Sequence, residues 1–309
     1  MKVYLANDAP SQIAGSRTLW DHLADWLGAE GIWAPYGSLK ATVEARLKDE
    51  PDVLVIRNAT YWPSCDLPNP TIAILQDYLP PDMRADQVAV GQRASMTVTN
   101  SAWTAGQYPE LAGMMSVIPL PVDFHLFRPR VADRAELQKK WGIRPNSICW
   151  VGSMQAIKGY DILHRLIGSC GLNFVTIRKD APPDWPATSW GGRCRQLGNL
   201  SQADLAEVMG ACTVGLCTSR YETQHLAGIE MAGCGLPVIA TEPVGVYGEP
   251  QPWHRVVKLV DLPLMLENAM GQARPDEIAS AVRKGPWTEV ACKRSWMEIV
   301  AKVHEGQHA

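Results

Sequence analysis

Short apolar runs alternate with amphipathic helical stretches along this chain, in two successive series, and that alternation restricts the fold more than any other feature. A strand, a helix and a second strand in succession bring the second strand back parallel to the first, so repeated units build a parallel sheet with helices on both faces. In the first series residues 2–6, 31–35, 52–57, 71–76, 96–100 and 116–120 read as strands, and 16–27 reads as an amphipathic helix. A charged stretch, 131–141, and Gly142-Ile143-Arg144-Pro145 then read as a linker. Beyond it, strands are expected at 147–152, 173–178, 213–217, 237–241 and 255–260, and helices at 159–168, 203–210, 225–233 and 262–271. A last helix over 287–305 sets Val290, Ala291, Trp296, Ile299, Val300 and Val303 on one face. The expected class is therefore α/β with two Rossmann-like domains, 1–130 and 131–286, followed by a C-terminal helix in 287–309. Such sheets bind ligands at the carboxyl ends of their strands, in a cleft between the domains.

The length of 309 residues and a 46% hydrophobic content suit two domains. No apolar run approaches the roughly 18 residues needed to span a bilayer, so a cytoplasmic, soluble protein without an integral membrane segment is expected. The eight cysteines form no C-x-x-C pair, and several sit in apolar runs, so they read as reduced core residues. No D-x-D occurs, and neither a metal nor another cofactor is expected. Net charge is −3 overall; residues 1–130 hold 10 Lys and Arg against 14 Asp and Glu, while 131–309 hold 19 against 18. Neither half has the basic excess of a nucleic-acid binder.

The stretch from Ser219 to Thr241 reads strand end, loop, helix, tight turn, strand. Gly233 and Gly235 stop the helix, Pro237 prevents its continuation, and Val238-Ile239-Ala240 starts a buried strand. The junction at Gln224, His225 and Leu226 would turn backbone N–H groups and a positive dipole end toward an anion. Glu222 precedes it and Glu230 follows eight residues later, roughly 10 Å along a helix. Two carboxylates about that far apart, with a phosphate site between them, match a nucleotide sugar, whose hydroxyls lie at both ends of a diphosphate.

This run, E-x7-E followed by Gly-Leu-Pro-Val-Ile-Ala-Thr, resembles the retaining GT-B glycosyltransferases of family four, the glycosyl transferases group 1. Other segments match in order. Val151-Gly152 with Lys158-Gly159 is similar to the family's phosphate loop; Leu197-Gly198-Asn199-Leu200-Ser201 is similar to its base-binding turn. The segments Val117-Ile118-Pro119, Val122-Asp123 and Phe127-Arg128-Pro129 are similar to those closing its first domain, and the helix carrying Trp296 to the one that crosses back to that domain. The resemblance implies a nucleoside-diphosphate-sugar donor held by Gly152, Ser153, Lys158, Gly198, Asn199, Glu222, Gln224, His225, Leu226 and Glu230. Lys158 would stabilise the departing diphosphate, with Glu222 on the sugar and Glu230 on the ribose. It further implies retention by a same-face route, in which the leaving oxygen takes the acceptor's proton without a metal.

Three departures stand out. Ser153 occupies a position where the family commonly has arginine, and Arg17, after Gly15 in the first strand-to-helix loop, is a candidate replacement. Gln76, followed by Asp77, stands where the family commonly has histidine on the sugar and acceptor side. His225 stands where many members have glycine. A dinucleotide dehydrogenase is the nearest rival in fold, but neither half has G-x-G-x-x-G after its first strand. A non-catalytic nucleotide-sugar-binding protein is a further alternative. The acceptor is expected to be a small molecule or a glycan; modified DNA, as in phage-type enzymes acting on hydroxymethylated bases, is the alternative, and the acidic first half speaks against it.

Overall fold

The computed structural model describes residues 2–8, 14–58, 67–76, 81–178, 192–241, 251–272 and 274–306. They form two compact units: residues 1–121 together with 289–309, and residues 122–288.

The first unit is a parallel sheet of β1 (Val3–Asp8), β2 (Glu30–Ala34), β3 (Leu54–Asn58), β4 (Thr71–Leu75), β5 (Met96–Thr99) and β6 (Met115–Val117), in the order β2-β1-β3-β4-β5-β6. Every residue of β3, β4 and β5 is buried, as expected of central strands covered on both faces. The connecting helices are α1 (Ala14–Leu27), α2 (Tyr36–Leu47), α3 (Pro81–Arg93) and α4 (Ala102–Gly106). Ser101 caps α4 by accepting from the Thr104 N–H. One face of the sheet packs Tyr4, Ala6 and Val55 against Leu39, Val43 and Leu47 of α2.

The second unit repeats the plan with β7 (Ser147–Val151), β8 (Asn173–Arg178), β9 (Cys194–Gly198), β10 (Val214–Cys217), β11 (Val238–Thr241) and β12 (His254–Val257), all parallel, in the order β12-β11-β10-β7-β8-β9. Its helices are α5 (Arg134–Trp141), α6 (Tyr160–Ser169), α7 (Gln202–Ala211), α8 (Leu226–Gly233), α9 (Leu262–Gln272) and α10 (Pro275–Arg283). Two apolar layers fill the two faces: one around Cys149, Val175, Ile229 and Trp253, the other around Trp150, Leu163, Phe174 and Leu262. The described cysteines are all free and, apart from the half-buried Cys170, buried; Cys65 lies outside the described residues.

Three expectations are corrected. The unit boundary falls between Pro121 and Val122, upstream of residue 130, because Val122 and Phe127, with Phe124 and Leu126, join the second core. The charged stretch 131–141 is not a linker but holds the helix α5: Leu137 is buried, the Gln138 amide donates to the Ala211 carbonyl at 3.0 Å, and Glu207 holds both Lys140 and the Trp141 indole N–H. Helix α1 begins at Ala14, two residues before the expected start, so Gly15 lies in its first turn rather than in the loop before it, while Arg17 lies in the helix, as expected from 16–27.

The last helix, α11 (Glu289–Gly306), belongs to the first unit. Trp296 and Cys292 on it are buried, the Cys292 thiol faces the Pro119 carbonyl at 3.3 Å, and the Trp26 indole donates to Glu289 at 3.2 Å. Immediately before it, Thr288 bridges to Val122 and the Val122 N–H donates to the Trp287 carbonyl at 2.9 Å, so the two points where the chain changes unit run side by side. No helix among the described residues is long and apolar enough to cross a membrane.

Candidate active site

In the second unit the chain runs outward from β7 through β8 to β9, then returns to the other side of β7 to lay down β10, β11 and β12. The loops after β7 and β10 therefore leave the sheet in opposite directions and open a crevice at their carboxyl ends. Lys158 lies on the first loop and Glu222 on the second. The Lys158 ammonium sits 2.8 Å from each oxygen of Glu222, and the Ser219 hydroxyl donates to the same carboxylate at 2.7 Å.

The two loops are locked together by backbone geometry. Residues Ala156–Lys158 form one 3-10 turn that ends at Gly159 with φ +63°, a left-handed conformation that favours glycine. A Cβ there would stand 1.8 Å from the Thr218 carbonyl oxygen, so the site tolerates no side chain. The Trp150 indole donates to the Thr218 hydroxyl at 2.9 Å, and that hydroxyl donates to the Lys158 carbonyl at 2.8 Å. A buried tryptophan thus fixes the height of Lys158 above the sheet. The Arg220 N–H adds a bond to the Ile157 carbonyl at 2.8 Å, while its guanidinium is held by Asp161.

Downstream, His225 occupies the N-cap position of α8 without a side-chain capping bond and is buried; burial pushes its imidazole down to about 4, the Glu222 charge pulling the other way, so it is neutral at pH 7. The expected rank of free donors at this helix start is reduced. The Leu226 N–H bonds to the Gln224 carbonyl at 2.9 Å and the Gly228 N–H to the His225 carbonyl at 3.0 Å. Glu230, one turn further in, is largely withdrawn from water without being sealed, and burial pushes its carboxyl up to about 7. At the helix end Gly235, φ +85°, donates to the Ala232 carbonyl and Leu236 to the Met231 carbonyl, which turns the chain into β11.

The remaining positions on the second sheet also lie at carboxyl ends. Gly152 follows β7, its N–H bonded to the Ile177 carbonyl, with Ser153 next. Gly198 ends β9 and Asn199 takes φ +55°, its N–H bonded to the Arg178 carbonyl at 3.2 Å. This tight turn leads into α7, capped by Ser201. In the first unit Gln76 directly follows β4, buried, with its carbonyl 3.5 Å from the Asn100 amide. Asp77 lies outside the described residues, and no side-chain position is described for Arg17.

Sequence reasoning missed two groups. Arg178 is buried at the end of β8; its backbone carbonyl accepts from the Asn199 N–H and its charge acts on the Tyr160 hydroxyl, and the sign of it in the sequence was a charge ending an apolar strand. In the first unit, Asn7, Arg57, Asn58 and Asn100 join Gln76 as buried polar residues at carboxyl ends of neighbouring strands. Asn7 and Arg57 flank that sheet's own switch point, between β1 and β3.

Residues 145–252 match the family model described as Glycosyl transferases group 1. Over 148 residues, 43% of this chain, the sequence is 26% identical to D-inositol 3-phosphate glycosyltransferase of Segniliparus rotundus; the match spans 32% of that curated relative's length. Among solved structures, HepE of Anabaena in complex with UDP superposes with a TM-score of 0.79 at 16% identity, covering 98% of this chain and 100% of its own. HepE has also been crystallised with UDP-glucose. Sucrose-phosphate synthase of Thermosynechococcus elongatus superposes with a TM-score of 0.80 at 14% identity, covering 99% and 100%. The fold of the chain is that of GT-B, two Rossmann-like domains.

Proposed function

We propose, from the premise that this chain is a GT-B glycosyltransferase whose second unit carries the group 1 donor domain, that it moves a sugar from a nucleoside-diphosphate sugar to a hydroxyl acceptor. The observation that carries this reading is the Lys158–Glu222 pair at the switch point of the second sheet, a cation and a hydrogen-bond-accepting carboxylate held on adjacent loops. With donor bound, the Lys158 ammonium moves onto the diphosphate and the freed Glu222 oxygens accept from sugar hydroxyls. Glu230 accepts from the ribose, the 198–199 turn meets the base, and Arg178 supplies the positive charge that Ser153 lacks.

In the reaction the bond from the anomeric carbon to the diphosphate oxygen breaks as the acceptor oxygen bonds to that carbon from the same face. The acceptor's proton passes to the departing diphosphate oxygen. Configuration is retained without a carboxylate nucleophile and without a metal, since Lys158 meets the charge that develops on the leaving group. The buried amides of the first unit, with Gln76, suit a hydroxyl-rich acceptor, and its acidic balance disfavours a phosphate backbone.

Incubation of purified protein with UDP-glucose and a panel of other nucleotide sugars and acceptors, in excess chelator, tests the reading by mass spectrometry and by NMR of the product's anomeric proton. Transfer with retained configuration is expected. Transfer that stops in chelator and returns with manganese, or an inverted product, overturns the mechanism; a glycosylated duplex DNA product overturns the acceptor assignment.

A further inference from the structure

The loop leaving β10 carries a constellation of which the transfer reaction uses Glu222 but leaves the buried Cys217 thiol without a role. Cys217 ends β10, Glu222 follows on the loop and His225 holds the N-cap position of α8; one ligand atom from each lies within 4.8 Å of the others. Tetrahedral zinc, with bonds of about 2.0–2.3 Å, needs ligand atoms roughly 3.3–3.8 Å apart, so the three side chains close on an ion by small torsional adjustments. Cys217 and His225 are 2% and 4% exposed, and the Glu222 side chain is 10% exposed. A thiol, an imidazole and one carboxylate form a donor set for a borderline-soft cation rather than for magnesium or calcium. Among the described residues this is the one group of three such side chains placed to share an ion.

We propose that Cys217, Glu222 and His225 form a site for a thiophilic divalent cation, zinc above all, whose occupancy shuts the sugar end of the donor out of the active site. On binding, the Cys217 thiol gives its proton to solvent and the thiolate, one imidazole nitrogen and one carboxylate oxygen take three positions, leaving the fourth to water. Glu222 cannot ligate the ion and accept from sugar hydroxyls with the same oxygens. Lys158, now facing a dication, leaves Glu222; its side chain is 31% exposed, so it has a route into water. The cation is thus an inhibitor that competes with the donor. Exclusion of the donor rests on the proposed role of Glu222, whereas the cation site itself does not.

Cobalt(II) titration of the reduced, chelator-treated full chain, followed by absorption, tests the site without reference to turnover. One equivalent is expected to produce thiolate-to-cobalt absorption in the near ultraviolet and the visible bands of a tetrahedral ion. Zinc should displace it and magnesium should not. Cys217→Ser should remove the near-ultraviolet band, and Glu222→Gln, which leaves the buried thiol in place, should weaken cobalt binding at least tenfold. Zinc should then inhibit turnover competitively with the donor, with Cys217→Ser at least tenfold less sensitive and fully active in chelator. Absence of the thiolate band in the parent protein, or its persistence in Cys217→Ser, overturns the site. A cobalt-loaded protein that still binds UDP-glucose with unchanged affinity overturns the exclusion and points away from Glu222 as the sugar ligand.

Discussion

The displaced acidity of Glu230 should make donor binding depend on pH. Burial pushes this carboxyl up to about 7, so near neutrality half of the unliganded protein carries a protonated Glu230. Ribose hydroxyls donate to a carboxylate, so bound donor favours the ionised form, draws the pKa down and releases a proton. Affinity therefore rises as pH rises through the unliganded value and levels off above it. The ionised fraction goes from about 9% at pH 6 to about 91% at pH 8, which makes binding about tenfold tighter, or roughly 1.4 kcal/mol. UDP-glucose is the suitable probe, because its diphosphate has no group titrating in this range. His225, already neutral above about 4, adds nothing to the window. Calorimetry in buffers of different ionisation enthalpy should report about half a proton released at pH 7. Glu230→Gln should abolish the pH dependence. Because the carboxyl's pKa is raised on folding, its ionisation opposes the folded state as pH climbs from the unfolded value near 4.5 through 7; the amide should therefore raise Tm more at pH 8 than at pH 6. Affinity flat from pH 6 to 8, or an equal slope in Glu230→Gln, refutes the assignment of Glu230 to the ribose.

Lys158→Met should lower kcat by about 100- to 1,000-fold with a much smaller effect on Kd for UDP-glucose, as for loss of one group aimed at a developing charge; single-turnover kinetics beside calorimetry separates the two. Glu222→Gln should lower turnover with intact donor and leave UDP affinity near that of the parent, whereas Glu230→Gln should weaken both ligands; equal losses for UDP, read by calorimetry, count against the division of roles. Gly159→Ala, with its Cβ driven onto the Thr218 carbonyl, should cost more than about 3 kcal/mol, while Gly168→Ala in α6, which meets open space, should gain up to about 1 kcal/mol, both by urea unfolding. Gln76→Ala should lower turnover and blur donor choice without changing UDP affinity; unchanged turnover and donor preference would remove Gln76 from the sugar side.

Legibility in the sequence followed the range of the forces involved. Central strands such as 71–75 and 147–151 stood out because burial on both faces demands unbroken apolar runs. The edge strand β9, Cys-Arg-Gln-Leu-Gly, escaped because one flank faces solvent and its pattern is mostly polar. Helix α5 was hidden by its charge, since its partner Glu207 is distant in sequence, and α10 by the proline that opens it. Glu222 and Glu230 were singled out by their spacing before a glycine-proline turn, and Lys158 by the family resemblance alone; the 2.8 Å contact that joins Lys158 to Glu222 spans 64 residues of sequence and was in neither. The convergence of Cys217 with His225, and of Asn7 with Arg57, is created by strand order and loop return, which no local window contains.

The return of α11 to the first unit bears on how the chain comes off the ribosome. Residues 1–121 are synthesised early, but the helix that supplies Trp296 and Cys292 to that unit emerges only after the whole of 122–288. The second unit, complete within one continuous segment, is free to fold first, while the amino-terminal half waits with one flank of its core uncovered, reversing the common amino-to-carboxyl order of domain folding. Loss of the last helix, through premature termination or proteolysis near Glu289, therefore strikes the opposite end of the sequence. It would leave the donor-binding half folded and the first half exposed to aggregation and to quality-control proteases.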